Sequence, residues 1–161
     1  MKIAIGADHR GYQAKEKAKA LLTSLGHEVM DFGTNSSTSC DYPDAAYPAC
    51  QSVIAGHTES CILFCGTGLG MSISANKVRG IRAAVCHDEV TAEMSRRHNK
   101  ANVLCLPADL IGDELTRRII EVWLTARFEG GRHERRVQKI AEFEQQQASQ
   151  TSPQPPEETN P

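Results

Sequence analysis

Cys65-Gly66-Thr67-Gly68-Leu69-Gly70 places a thiol at the end of an apolar run, with three glycines at alternate positions behind it. Glycines let a backbone approach a ligand closely and present several N–H groups to it. A helix beginning there adds partial positive charge. The combination is a cradle for an oxyanion with a sulfur beside it. A thiol next to a helix N-terminus has its thiolate favoured. A free thiol titrates near about pH 8.5, so a modest downward shift makes it a usable base near neutrality. The spacing GxGxG is not the dinucleotide fingerprint, and no Lys-Ser/Thr pair follows the last glycine, as a Walker A loop requires. A glycine loop alone is as often a tight turn. A cysteine at a strand end is, by location alone, more often a small buried apolar residue.

Three further clusters carry chemistry-bearing side chains. Asp8-His9-Arg10 can hold sugar hydroxyls and meet an anion. Asp8 reads equally well as a helix cap. Ser95-Arg96-Arg97-His98-Asn99 ends a helical stretch. There His98 reads first as a favourable charge at a helix C-terminus and Asn99 as a C-cap. Arg132 and Arg136 are four apart near the start of another helix, so they share a face. Two guanidiniums converging on one spot suit a phosphate. A basic pair at a helix start also opposes the macrodipole, which makes a merely solvated face less comfortable.

The elements that must position these residues alternate along the chain. Strands are expected at 2–7, 27–32, 60–65, 81–86 and 102–106. Helices are expected at 12–25, 44–55, 71–77, 89–98, 113–128 and 133–147. Asp44 is the expected cap of the second helix, and Pro48 falls in its first turn. The last helix offers Val137, Ile140, Ala141 and Phe143 as its apolar face. The third strand, SCILFC, is nearly all apolar and suits a central position buried on both faces. This alternation implies an α/β fold, a five-stranded parallel sheet with helices on both sides. Ligands then sit outside the carboxyl ends of the strands. That rule selects Asp8-His9-Arg10, Cys65 to Gly70 and the loop after the fourth strand. The expected organisation is one domain over residues 1–145. Residues 146–161, polar and rich in proline, form a tail expected to be disordered.

With 18 basic and 20 acidic side chains and a net charge of -2, the chain lacks the positive excess of a nucleic-acid or membrane-surface protein. No apolar run approaches the roughly 20 residues of a membrane span. The opening MKIAIGADHRG reads as a first strand rather than a signal peptide. The six cysteines lack zinc spacing and read as mostly buried thiols in a reducing cytoplasm.

The segments GADHRG, DFGT, DYP, CGTGLGMSISANKVRGIRAAVC, SRRHN, NVLCL and FEGGRHERRV occur in this order from residue 6 to residue 137. In this the chain resembles type B ribose-5-phosphate isomerase, of the family that also holds the galactose-6-phosphate isomerase subunits. The resemblance implies a Rossmann-like three-layer α/β/α sandwich and a homodimer with active sites between subunits. It implies interconversion of ribose 5-phosphate and ribulose 5-phosphate, a step of the pentose phosphate pathway, with no metal and no cofactor. Cys65 matches the proton-abstracting cysteine, with Thr67 beside the reacting carbon. Gly66, Gly68, Leu69 and Gly70 belong to the matching anion-hole loop. His98 matches the residue that opens the furanose ring. Asp8, His9 and Asn99 match substrate-binding positions, and Arg132 and Arg136 match phosphate ligands. His98 and Asn99 are expected from the partner subunit. One position departs from the pattern: better-known members carry an arginine where this chain has Asp109. Arg10, in turn, stands where they often have a small or apolar residue. The expectation is that Arg10 takes over phosphate binding, oriented by Asp109 across the interface.

On these expectations the base takes the C2 proton of the open aldose and returns it at C1. The loop amides stabilise the enediolate oxygen between the two steps. Two other readings stay open. One is an isomerase of a six-carbon sugar phosphate, such as allose or galactose 6-phosphate. The other is a non-catalytic phosphate-binding module, which would have no need of the Cys65 thiol.

Overall fold

A computed structural model describes residues 1–150. Five parallel strands form one sheet: β1 (Lys2–Ala7), β2 (Glu28–Asp31), β3 (Ser60–Cys65), β4 (Ala83–Val85) and β5 (Val103–Pro107). Their spatial order is β2-β1-β3-β5-β4. Every residue of β3 and β5 is buried, as a strand covered on both faces demands.

Helices cover the sheet on both sides. Side chains of α1 (Tyr12–Ser24), α4 (Glu89–Asn99) and α5 (Asp113–Thr125) pack one face around Ile62, Phe64, Leu104 and Trp123. Those of α2 (Tyr42–Ile54) and α3 (Leu69–Ala75) pack the other around Leu63, Cys65, Met71 and Cys105. The result is the expected three-layer α/β/α sandwich. No helix of the described residues is long and apolar enough to cross a membrane. All six cysteines are free.

Four local expectations change. Helix α2 begins at Tyr42, with Asp41 in the cap position and Pro43 in the first turn, where its fixed φ suits a helix start. Asp44 therefore lies inside the helix rather than capping it, and Pro48 falls inside the helix beyond the first turn. Strand β4 is three residues long, not six, and the amides just before it bond away from the ladder. Arg82 N–H donates to Asn102 Oδ1 at 2.8 Å, and Ile81 N–H turns back to Val78 O. Helix α6 (Arg132–Gln150) runs past the expected domain boundary at 145, so residues 146–150 are helical. The rest of the expected tail lies outside the described residues. Of its apolar face Val137 is buried, but Ile140 is 47% and Phe143 59% exposed, so that stripe is left largely uncovered within the chain.

Candidate active site

Strands β1 and β3 are neighbours, yet β1 leads to a helix on one face and β3 to a helix on the other. Their carboxyl ends therefore diverge and leave a crevice, the usual ligand position in such sheets. A cavity of about 320 Å³ opens there, lined by Asp8, Arg10, Tyr42, Cys65, Gly66, Thr67, Gly70 and Asp109. The third contributing loop follows β5, not β4 as expected. Strand order decides this: β5 lies beside β3, and β4 is pushed to the sheet edge.

Cys65 ends β3 and is 4% exposed, with that small area at the cavity. Gly68 N–H donates to its Sγ at 3.1 Å. Gly68 holds φ at +76°, in the left-handed region, and α3 starts at the next residue. A side chain at Gly68 would also crowd Val85 at 3.1 Å. The loop can thus fold its amide back onto the sulfur only with glycine at this position. Leu69 is 56% exposed and lies outside the cavity lining, and its N–H meets Thr67 Oγ1 at 3.4 Å.

Asp8 is 6% exposed, and its Oδ1 accepts from Arg10 N–H at 2.9 Å and Gly11 N–H at 3.0 Å. One oxygen thus fixes the turn ahead of α1, and the residue also lines the cavity; the N-cap of α1 is Gly11 with no side-chain cap bond, so Asp8 is not the helix cap. Arg10 Nε donates to Asp109 Oδ2 at 2.6 Å. This bond, more than the charge alone, holds the Arg10 guanidinium more firmly protonated than usual. The expected pairing of Arg10 with Asp109 is present, but within one chain rather than across an interface. The pair lies over Gly66, where an added Cβ would come 2.5 Å from Asp109 Oδ2. His9 does not line the cavity; its Nδ1 meets the Cys40 backbone at 3.2 Å.

The remaining expected residues lie elsewhere. Helix α4 runs back against the strands, so His98 and Asn99 reach the amino end of β5 while Cys65 sits at the carboxyl end. At about 3.3 Å per residue, the length of β5 alone separates them by roughly 13 Å. Around His98 a second cluster forms. Its ring stacks on His133 with centroids 4.2 Å apart and planes within 5°. Glu129 Oε2 lies 3.7 Å from His98 Nε2 and 3.6 Å from His133 Nε2. Hydrogen bonding from Arg97 holds the Glu129 carboxyl below its usual range, chiefly against burial. Burial, then the charges of His98 and Arg132, push His133 below its usual value. Arg132 Nε donates to His133 Nε2 at 3.3 Å, and Arg136 follows one turn later on α6.

Sequence reasoning assigned no role to Tyr42, Glu129 or His133. Tyr42 was visible only as part of DYP; its ring would meet a Cβ at Gly70 at 3.0 Å. Glu129 and His133 flank two glycines in FEGGRH, with nothing local to indicate that both return to His98.

The family model for ribose/galactose isomerases matches residues 3–140. Ribose-5-phosphate isomerase B of Escherichia coli is 46% identical, covering 89% of this chain and 97% of its own. D-erythrulose-4-phosphate isomerase of Pectobacterium atrosepticum is 42% identical, covering 93% and 99% respectively. The structure of Clostridium thermocellum ribose-5-phosphate isomerase B matches with a TM-score of 0.90 at 49% identity, covering 91% and 99%. The matched region contains both the Cys65 cavity and the His98 cluster, and on this basis the chain belongs to the ribose/galactose isomerase family.

Proposed function

We propose that this aldose–ketose isomerase interconverts ribose 5-phosphate and ribulose 5-phosphate through an enediolate, with Cys65 as the base. The observation that carries the reading is the Cys65 sulfur at the crevice, with the glycine loop folded against it. Cys65 takes the proton from C2 of the open aldose. Negative charge develops on O1, where the 66–70 amides and Thr67 can receive it. The same sulfur returns the proton at C1, while the O2 hydroxyl proton passes to O1 and leaves the carbonyl at C2. Asp8 holds substrate hydroxyls, with His9 and Asn99 completing the pocket. His98 opens the furanose ring beforehand, because an imidazole can both take and give a proton near neutral pH.

The working form is a homodimer with shared sites. His98, Asn99, Arg132 and Arg136 lie at the wrong end of the sheet to reach Cys65 of their own chain, and a second copy would supply them. The uncovered Ile140 and Phe143 of α6 fit the same reading. Arg10, steadied by Asp109, binds the phosphate together with Arg132 and Arg136. Phosphate binding supplies orientation rather than chemistry. Six free thiols fit a reducing cytoplasm, and the reaction fits the pentose phosphate pathway.

The relative that acts on D-erythrulose 4-phosphate, together with the Arg10–Asp109 departure, keeps a sugar phosphate of different length as the second reading. The deciding experiment is an isomerase assay with ribose 5-phosphate beside four- and six-carbon sugar phosphates, repeated with Cys65→Ala. A preference for the five-carbon substrate that vanishes in the variant is expected. Full activity in Cys65→Ala would remove Cys65 from the role.

A further inference from the structure

The cluster around His98 is more ordered than a ring-opening histidine requires. Arg97 takes Glu129 Oε1 with its Nε at 2.6 Å and with its terminal guanidinium nitrogen, and its carbonyl accepts Glu129 N–H at 3.0 Å. Glu93 holds Arg97 from the other side at 2.9 Å. The carboxylate is thus fixed through one oxygen, and the other is left for the imidazoles. Gly130 and Gly131, both at positive φ, turn the chain at once into α6 and bring His133 under the His98 ring. His133 Nε2 already accepts from Arg132, so its proton sits on Nδ1. Glu129 Oε2 therefore has one imidazole N–H to serve, that of His98 Nε2.

We propose that Glu129 and His133 are positioning residues for His98: Glu129 holds the His98 proton on Nε2, and His133 fixes the ring plane, so that Nδ1 faces the sugar. The inference rests on the isomerase reading above. Ring opening breaks the C1–O4 bond, and its electron pair goes to O4. O1 loses a proton as C1=O1 forms, and O4 gains one. His98 Nδ1 carries that proton from O1 to O4 and is cationic in between. The 3.7 Å separation from Glu129 is an ion-pair distance, longer than a hydrogen bond, so the carboxylate acts on His98 most strongly when the ring is charged. A neutral, buried His133 stacks against that cation without repelling it.

Glu129 and His133 face His98 directly, with Arg97 behind Glu129 and Arg132 and Arg136 beside His133. The ligand atoms of His98, Glu129 and His133 lie within 4.8 Å of one another. Arg97 and Arg132 already bond to Glu129 and His133, however, and three guanidiniums disfavour a dication.

Chemistry supplies a test that separates ring opening from proton abstraction. Ribose 5-phosphate is a furanose, whereas ribulose 5-phosphate has its O5 blocked and stays open. Glu129→Gln should lower kcat from ribose 5-phosphate about tenfold, part of what a general acid–base contributes, with KM nearly unchanged. Enzyme-catalysed deuterium uptake from solvent at C1 of ribulose 5-phosphate should stay within about twofold of the parent, because no ring is involved. Glu129→Asp, which keeps the charge, should recover part of the forward rate. His133→Phe, which keeps a flat ring, should retain more forward activity than His133→Ala, with thermal melting confirming that each variant is folded. Equal losses of forward rate and deuterium uptake, or no loss of either, would overturn the inference. If the parent protein itself fails to interconvert ribose 5-phosphate and ribulose 5-phosphate, the isomerase reading fails instead.

Discussion

At the carboxyl end of the sheet, the backbone builds the site. The Cys65 sulfur is met by the Gly68 amide, one oxygen of Asp8 is taken by the amides of residues 10 and 11, and the loop stays close because it is glycine. At the amino end, side chains build it. His98 is placed by Glu129, Glu129 by Arg97, and Arg97 by Glu93. The first end suits a step in which charge develops on a substrate oxygen and must be received without reorganisation. The second suits proton shuttling, where ionisable groups adjust to one another. In the proposed reaction neither end completes the catalytic site by itself. The proposed reaction joins them only if the carboxyl end of one copy faces the amino end of another.

The largest effect that sharpens this contrast is the loss of Cys65. Cys65→Ala should lower turnover by at least about a thousandfold while calorimetry still detects substrate binding, because the variant removes the proposed base and leaves the cradle. Lost binding together with lost turnover would make Cys65 structural.

Next comes a test of whether the two ends serve one site. Cys65→Ala and His98→Asn, each nearly inactive alone, should recover activity when unfolded and refolded together. Random pairing makes about half the dimers mixed, each with one intact site, so about a quarter of parent activity should return. No recovery would mean that both ends act within a single copy or in separate reactions.

Arg10→Ala should raise KM for the sugar phosphate about tenfold with little change in kcat, because a phosphate contact acts far from the bond changes. An unchanged KM would take Arg10 out of the phosphate site and leave its pair with Asp109 as loop bracing.

The smallest effect on catalysis is expected away from both ends. Lys15 is fully buried, and its Nζ lies 2.6 Å from Asp31 Oδ2. Burial pulls the Asp31 carboxyl up, but hydrogen bonds from Lys15 and Lys19 outweigh it and hold Asp31 below its usual value. Asp31→Ala should destabilise the fold by about 2–3 kcal/mol in urea denaturation, since it strips a buried cation of a partner, and leave kcat nearly intact. The Asp31 contribution is fully present above the ordinary carboxylate range. It is lost as pH falls through the lower, folded value, so the gap between parent and variant should narrow in acid.

Local sequence was a good guide to elements and a poor one to neighbours. Apolar runs alternating with segments of helical period marked the five strands and six helices of the described residues, because burial on two faces and a 3.6-residue period leave a direct trace in residue order. The Cys65 loop was legible for the same reason: its thiol, glycines and helix start are contiguous. Its third wall was not, because the loop after β5 borders the crevice only once β5 lies between β3 and β4. Nothing in the residues around Lys15 marks it as special, and only packing shows it sealed beside Asp31.

Residue order alone determined the fold class, the cradle and the identity of the sulfur within it, since each depends on periodicity or adjacency along the chain. Tertiary structure alone decided that Arg10 pairs with Asp109 within the chain, that Glu129 and His133 converge on His98, and that Cys65 and His98 stand at opposite ends of the sheet. Those facts depend on strand order and helix direction. Both are settled by burying two apolar faces at once, and no short stretch of sequence encodes that.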